Sequence, residues 1–149
     1  MYTVDNYKKH FNELAIKRTN RRFTAYYWNE ISQYCNYFSH DDSSVLEIGC
    51  GSGDLLAAIT GSKKIGIDFS EEHIKWAKEK HRDSGIEFVL MDANLITLNQ
   101  TFDLIIISNL IGYVDDIQNV FEQVKKCCHT GTKIIVQYYN SFWEPFIKF

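Results

Sequence analysis

Short apolar runs alternate with helical patterns from residue 45 onward, and this alternation limits the chain to very few architectures. The runs are Val45–Ile48, Lys64–Asp68, Ile86–Met91, Phe102–Ser108 and Lys133–Tyr139. Parallel strands cannot be joined by tight hairpins, so each pair needs a crossover connection, which is usually a helix. The alternation therefore predicts an α/β fold, a doubly wound and mainly parallel sheet.

Three helical segments are predicted between the strands. The first covers Asp54–Thr60, and the second follows Ser70, a residue type that favours helix N-caps. The third carries an apolar stripe from Ile117, starts after Asp115 and Asp116, and is expected to stop at Gly131.

The first 40 residues show a helical pattern without strands. Two sets of residues recur at helical spacing: Tyr7, Phe11, Leu14 and Ala15, then Tyr27, Ile31, Tyr34, Cys35 and Phe38. A polar segment over residues 39–44 separates them from the first strand. We expect a helical cap over residues 1–40 and an α/β region over 41–149, forming one structural domain.

Composition excludes several classes of protein. With 149 residues, 45% hydrophobic content and a net charge of −3, the chain suits one folded domain rather than a disordered protein. No apolar run reaches the roughly 18–20 residues that a membrane span needs, and the start lacks a secretory signal. The spacing of the four cysteines does not suit a metal site, so we expect reduced thiols, no metal and a cytoplasmic protein. They are Cys35, Cys50, Cys127 and Cys128.

Basic residues concentrate near the N-terminus. Residues 1–40 carry six basic and three acidic groups (net +3), whereas 41–149 carry ten basic and sixteen acidic groups (net −6). The excess lies at Lys17, Arg18, Arg21 and Arg22. It suits either a solvated helix junction or a contact for an anionic substrate or partner. One short cluster on an acidic chain makes nucleic-acid binding an unfavoured interpretation.

A glycine-rich segment follows the first strand, where a doubly wound sheet binds its ligand. It reads Glu47-Ile48-Gly49-Cys50-Gly51-Ser52-Gly53 and precedes a predicted helix. Glycines at alternate positions let the backbone turn tightly and approach a ligand closely. The spacing G-x-G-x-G differs from the G-x-G-x-x-G of dinucleotide sites, so it favours another nucleotide-like ligand over NAD.

Polar residues end the other strands at the same edge. Asp68 could accept two hydrogen bonds from a ribose diol, and Phe69 could lie against a base. Asp92 could accept a hydrogen bond from an exocyclic amine while the next N–H, at Ala93, meets a ring nitrogen. Asn109 would flank the reactive end of the ligand, or simply cap the following segment.

Together these segments resemble the class I S-adenosylmethionine-dependent methyltransferases over about residues 40–140. The resemblance implies a Rossmann-like sheet of order 3-2-1-4-5 and S-adenosylmethionine as cofactor, with S-adenosylhomocysteine as its product. Its implied contacts are Gly49–Gly53 for the methionine part, Asp68 for the ribose, and Asp92 with Ala93 for adenine. The full set of expected cofactor-binding residues is Glu47, Gly49, Cys50, Gly51, Gly53, Asp68, Phe69, Asp92, Ala93 and Asn109.

The final segment is similar to methyltransferase modules that precede glycosyltransferase domains in some bacterial proteins. The similarity rests on the run from Tyr138 to Pro145. The family's sheet normally adds a closing hairpin after strand five, and this chain stops before it. The fifth strand would then be an apolar edge, and such edges are usually covered. We expect a homodimer, a partner or a missing C-terminal domain to cover Lys133–Tyr139.

The acceptor and the catalytic groups are less constrained. Candidate bases are His10, Tyr26, Tyr27, Tyr113 and Glu144, because their segments could close over the site, although packing alone would also explain them. The absence of an Asn/Asp-Pro-Pro-Tyr-like sequence favours a small-molecule, sugar or lipid-precursor acceptor over DNA bases. The alternatives are a cofactor-binding or interaction module that is inactive alone and, more remotely, an NAD-dependent dehydrogenase.

Overall fold

The computed structural model describes residues 21–138, apart from the side chains of 21–25 and 27. In chain order the elements are α1 (Arg21–Asn36), β1 (Ser44–Ile48), α2 (Asp54–Ala58), β2 (Lys63–Asp68), α3 (Glu71–Lys80), β3 (Glu87–Leu90), β4 (Phe102–Ser108), α4 (Ile117–Lys126) and β5 (Cys128–Gln137). A short 3₁₀ turn, Ile111–Tyr113, follows β4. None of these helices is long and apolar enough to cross a membrane.

The five strands form one parallel sheet of order β3-β2-β1-β4-β5, which confirms the predicted fold class and strand order. β1 is the central strand and β4 lies next to it, and the apolar side chains of both are almost fully buried on the two faces of the sheet. Order reverses between β1 and β4, so the switch point lies at the end of β1, where doubly wound sheets bind ligands.

Two apolar cores cover the two faces of the sheet. On one face α4 packs through Val120 and Val124 against β1, β2 and β4. On the other face α1, α2 and α3 bury residues such as Cys35, Leu56 and Ala77 against β1, β3 and β4. The continuous run Leu104–Ile107 supplies side chains to both cores, as expected for a central parallel strand.

The chain departs from the prediction after the last helix. Gly131 does not stop α4, because the helix already ends at Lys126 and Gly131 lies inside β5. The carbonyl of Cys127 accepts a hydrogen bond from the N–H of Phe102 at 3.0 Å, and Cys128 pairs with Phe102 in the sheet. Cys127 and Cys128 continue the apolar stripe but lie outside the helix, because Cys128 already pairs with β4 before Gly131 is reached.

Smaller differences concern element ends. α2 stops at Ala58 rather than Thr60, and β3 covers Glu87–Leu90 rather than 86–91. The second predicted N-terminal helix lies within α1, whereas the first, around residues 7–15, falls outside the described residues.

β5 forms an edge of the sheet with apolar side chains in solvent. The exposed fractions of Ile134, Val136 and Tyr138 are 43%, 45% and 60%. Within residues 21–138 no further strand pairs with β5. The edge predicted from the sequence is therefore present up to Gln137, and Tyr139 falls outside the described residues.

Candidate functional site

Two adjoining cavities open at the carboxyl end of the sheet, and both are lined by Gly49. The first, of about 540 Å³, lies beyond β2 and β3, with Asp68, Phe69, Asp92 and Ala93 in its wall. The second, of about 360 Å³, lies between the glycine loop and the end of β4. Both cavities therefore lie at the switch point of the sheet, where doubly wound folds bind ligands.

The loop from residue 49 to 53 needs glycine for two physical reasons. Gly49, Gly51 and Gly53 have φ values of +80°, +51° and +76°, which favour residues without a Cβ. A Cβ at Gly49 would also lie 2.9 Å from the Ser108 carbonyl oxygen, and one at Gly53 would lie 2.5 Å from Phe88. The sequence therefore fixes the backbone of this loop against β3 and β4.

Asp68 joins the end of β2 to the loop. One carboxylate oxygen accepts a hydrogen bond from the N–H of Gly51 at 2.9 Å, and the other accepts from the N–H of Ser70 at 2.9 Å. Each carboxylate oxygen can accept a second bond. Asp68 therefore supports the loop and can still receive hydroxyl donors from a ligand in the first cavity.

Glu47 is the most unusual ionisable group of the site. The residue is buried, lines the second cavity, and its Oε2 has no hydrogen-bond partner within the part of the chain that is described. Burial raises the pKa of the Glu47 carboxyl well above 4.5; the negative charge of Asp68 raises it further, while hydrogen bonds from Leu56 N–H and Ser108 oppose the rise. A buried acceptor without a donor is costly in isolation.

Asn109 carries a second orphaned acceptor in the same cavity. Its Oδ1 is buried and lacks a hydrogen-bond partner among residues 21–138, and its φ is +49°. Its N–H donates to the carbonyl and the side-chain oxygen of Gln137, at 3.0 and 3.2 Å. The backbone bonds to β5 hold Asn109 in this strained conformation, which is typical of functional sites.

The first cavity contains the other predicted residues. Asp92 accepts hydrogen bonds from the backbone and side-chain nitrogens of Asn94 at 2.8 and 2.9 Å, so its carboxylate is fixed in a tight turn. Phe69 and Ala93 complete the wall. Among the expected binding residues, Gly53 alone lies outside both linings, because it packs beneath the loop against Phe88.

Cys50 lines the second cavity, but its thiol belongs to the apolar core with Phe88. Burial raises its pKa, with further contributions from the charges of Glu47 and Asp68. Burial likewise raises the pKa of Cys35 to about 11. All four cysteines are free thiols, as expected from the sequence.

The catalytic candidates do not all reach the site. Tyr113 lines the first cavity and is 43% exposed, whereas Tyr26 is 65% exposed on α1 and lines neither cavity. His10, Glu144 and the side chain of Tyr27 fall outside the described residues. No group of three side chains among residues 21–138 is arranged to hold a metal ion.

Sequence reasoning missed Trp28 and His81. Trp28, on α1, lines the second cavity, and His81 contacts the glycine loop from the end of α3. Both lie outside the strand ends where ligand-binding residues were sought. The adjacent aromatic residues of α1 were the one available signal for Trp28.

The charged residues that line the two cavities are acidic. Five of the described residues that line them are acidic, and no lysine or arginine is among those described lining residues. The acidic residues are Glu47, Asp54, Asp68, Asp92 and Asp115. Such a wall favours a cationic ligand and opposes an anionic one.

A family model described as "Methyltransferase domain" matches residues 39–145. A phosphatidylethanolamine N-methyltransferase of Cereibacter sphaeroides is 31% identical over 98 residues, which are 62% of this chain and 48% of that protein. This chain thus matches less than half the length of that relative.

Solved structures show the same fold. A Pyrococcus horikoshii protein superimposes with a TM-score of 0.73 at 23% sequence identity. The match covers 85% of this chain and 64% of the Pyrococcus chain. A Thiobacillus denitrificans S-adenosylmethionine-dependent methyltransferase, solved with S-adenosylhomocysteine, has a TM-score of 0.62 at 18% identity. That match covers 73% of this chain and 46% of the other.

Proposed function

The chain belongs to the methyltransferase domain family, and from this premise we propose that it binds S-adenosylmethionine and transfers its methyl group to a small-molecule acceptor. The observation that carries the proposal is the pair of buried acceptors, Glu47 Oε2 and Asn109 Oδ1, in one cavity beside the glycine loop. They suit the α-ammonium group of the methionine part, which would supply the missing donors.

The first cavity suits the nucleoside part. Asp68 would accept hydrogen bonds from the ribose hydroxyls with the lone pairs that the N–H groups of Gly51 and Ser70 leave free. Asp92 and Ala93 would address the edge of adenine, and Phe69 would lie against its face. Gly49, which lines both cavities, would let the ligand pass from one to the other.

The charge of the cavities supports this cofactor over a dinucleotide. S-adenosylmethionine carries a sulfonium and an ammonium group, which the acidic lining would attract. A dinucleotide would bring a pyrophosphate next to the same carboxylates, without a lysine or arginine among the lining residues. The NAD-dependent dehydrogenase is accordingly the weaker candidate.

When bound, S-adenosylmethionine supplies an activated methyl group, and the residues of the chain need to position the acceptor and exclude water. Trp28, on α1, would help enclose the second cavity, in line with a cap formed by residues 1–40 over the α/β region of 41–149. Tyr113 is the candidate proton acceptor that lines a cavity, if the acceptor atom must lose a proton.

We further propose a lipid-precursor, sugar or other small-molecule acceptor and a cytoplasmic location. The phosphatidylethanolamine N-methyltransferase among the relatives supports the lipid class. The exposed apolar residues of β5 support coverage of this edge by a second copy or by a further domain.

Calorimetric titration with S-adenosylmethionine, S-adenosylhomocysteine and NAD tests the proposal. We expect one site per chain for both sulfur compounds and no heat from NAD. Absence of binding by either sulfur compound at high micromolar concentration would contradict the cofactor assignment. Binding without turnover across a panel of lipid, sugar and amine acceptors would favour a cofactor-binding module that is inactive alone.

A further inference from the structure

We propose that His81 is a positioning residue that holds the glycine loop in the shape required for the cofactor. The inference rests on the proposed cofactor function and extends it to a residue outside both cavities. His81 is the C-cap residue of α3, and its side chain is 14% exposed.

The imidazole of His81 bonds directly to the loop. Its Nε2 lies 3.1 Å from the carbonyl oxygen of Ser52. Because a carbonyl only accepts, Nε2 must carry the proton and donate it. The same nitrogen lies 3.4 Å from Oδ1 of Asp54, the first residue of α2.

The contact holds the backbone carbonyl of Ser52, whereas the hydroxyl of the same residue donates to Asp54 at 2.9 Å. Asp68 fixes Gly51 from β2, and the N–H of Gly53 closes a turn on the carbonyl of Cys50 at 2.8 Å. The carbonyl of Ser52, between these two points, is held by His81 from the opposite element. The loop is thereby fixed from β2 on one side and from α3 on the other.

Packing reinforces the same contact. A Cβ at Gly53 would lie 3.2 Å from His81 Cδ2 and 2.5 Å from Phe88, so the loop rests directly on these two rings. The ring centroids of His81 and Phe88 are 6.0 Å apart. Ser52 and Asp54 line the second cavity, so a shift of the loop on this support would change the wall that faces the cofactor.

The test combines S-adenosylhomocysteine affinity with hydrogen exchange. His81→Leu keeps an apolar side chain and removes the donor, whereas His81→Gln keeps an N–H group at similar reach. His129→Leu is the matched control, because His129 also bonds a carboxylate, Asp103, at 3.1 Å, but at the opposite end of the sheet. If His81→Leu fails to fold, His81→Asn, whose amide is too short to reach Ser52, takes its place.

We expect His81→Leu to raise the Kd for S-adenosylhomocysteine about tenfold and to speed amide exchange over residues 51–54 in the free protein. His81→Gln should restore the Kd to within about threefold, and His129→Leu should lower thermal stability without changing the Kd. An unchanged Kd and unchanged loop exchange in His81→Leu would overturn the assignment. Failure of the wild-type protein to bind would instead contradict the proposed function, while the exchange comparison would still decide whether His81 fixes the loop.

Discussion

Two carboxyl groups on neighbouring strands have opposite pKa shifts. Glu47 lies near the end of β1, and Asp103 lies near the start of β4. Asp103 accepts hydrogen bonds from the N–H and the hydroxyl of Ser44 at 2.8 and 2.7 Å and faces His129 at 3.1 Å. Its pKa is lowered, first by the Ser44 N–H, then by the Ser44 hydroxyl. The pKa of Glu47 is raised because the carboxyl is buried, and the charges of Asp68 and Asp54 raise it further. Within residues 21–138 its Oε2 has no hydrogen-bond partner.

The difference indicates that the two ends of the sheet have different roles, one in stability and the other in ligand binding. The bonds of Asp103 join β1, β4 and the start of β5, so they stabilise the fold. At the other end Glu47 and Asn109 each carry an acceptor without a partner among residues 21–138, which lowers stability unless a ligand supplies donors. Ligand-binding sites often carry such a stability cost.

The largest expected effect is on the support of the loop. Gly53→Ala should lower the free energy of unfolding by roughly 2–4 kcal/mol, because the new Cβ overlaps Phe88 and φ is +76°. Gly85→Ala is the control, since Gly85 has φ +72° and open space around it. Urea denaturation of both variants separates the overlap from the backbone strain; equal losses would contradict the packing argument.

Loss of Asp68 should act mainly on binding. Asp68→Ala removes the acceptor for the N–H of Gly51 and the proposed acceptor for the ribose hydroxyls. We therefore expect the affinity for S-adenosylhomocysteine to fall more than about tenfold. Asp103→Ala, the same change at the other end of the sheet, should leave the affinity of the folded protein unchanged. Calorimetry on both variants checks this, and an unchanged Kd for Asp68→Ala would remove the ribose role.

Glu47 should affect stability in a pH-dependent way. A carboxyl whose folded pKa lies above 4.5 stabilises the fold below its unfolded pKa, and that stability is lost as the pH rises through the folded pKa. Glu47→Gln should therefore gain about 1 kcal/mol over wild type at pH 8 and much less at pH 4. Denaturation of both proteins at the two pH values measures the difference in free energy of unfolding. If the difference between Glu47→Gln and wild type is smaller at pH 8 than at pH 4, the buried carboxylate does not destabilise the fold as proposed.

The smallest effect is expected at Asp103. Its lowered pKa means that it stabilises the fold above its unfolded pKa of about 3.8, and that this stability is lost as the pH falls through the folded value. The side chain is 48% exposed, so solvent screens the interaction. Asp103→Asn should lower Tm by about 2 °C or less at pH 7, and not at pH 2, with the exposed Asp41→Asn as control in the same thermal scan.

Much of the fold could be predicted from the sequence because its signals are local. The run Leu104–Ile107 identifies a central strand, and the segment Gly49–Gly53 identifies the turn at the switch point. The end of α4 could not be predicted, since Cys128 leaves the helical stripe only because β4 offers it a pairing partner.

The site was predictable where residues follow the strands and not where they approach from elsewhere. Asp68, Asp92 and Asn109 stand at strand ends, so the fold class alone brings them together. Trp28 and His81 lie on helices, and their contacts depend on how α1 and α3 pack against the loop. That Glu47 Oε2 has no partner among the described residues likewise depends on how its neighbours pack, which the sequence alone does not give.

The central claim is that Glu47 Oε2 and Asn109 Oδ1, which have no partner within the described part of the chain, bind the amino group of the cofactor. Its most direct test is to measure the Kd of S-adenosylhomocysteine and of methylthioadenosine, which lacks the amino-acid part, on the wild-type protein and on Glu47→Gln/Asn109→Ala. We expect the wild-type protein to prefer S-adenosylhomocysteine by about tenfold or more and the double variant to lose most of that preference. The same preference in both proteins would contradict the claim.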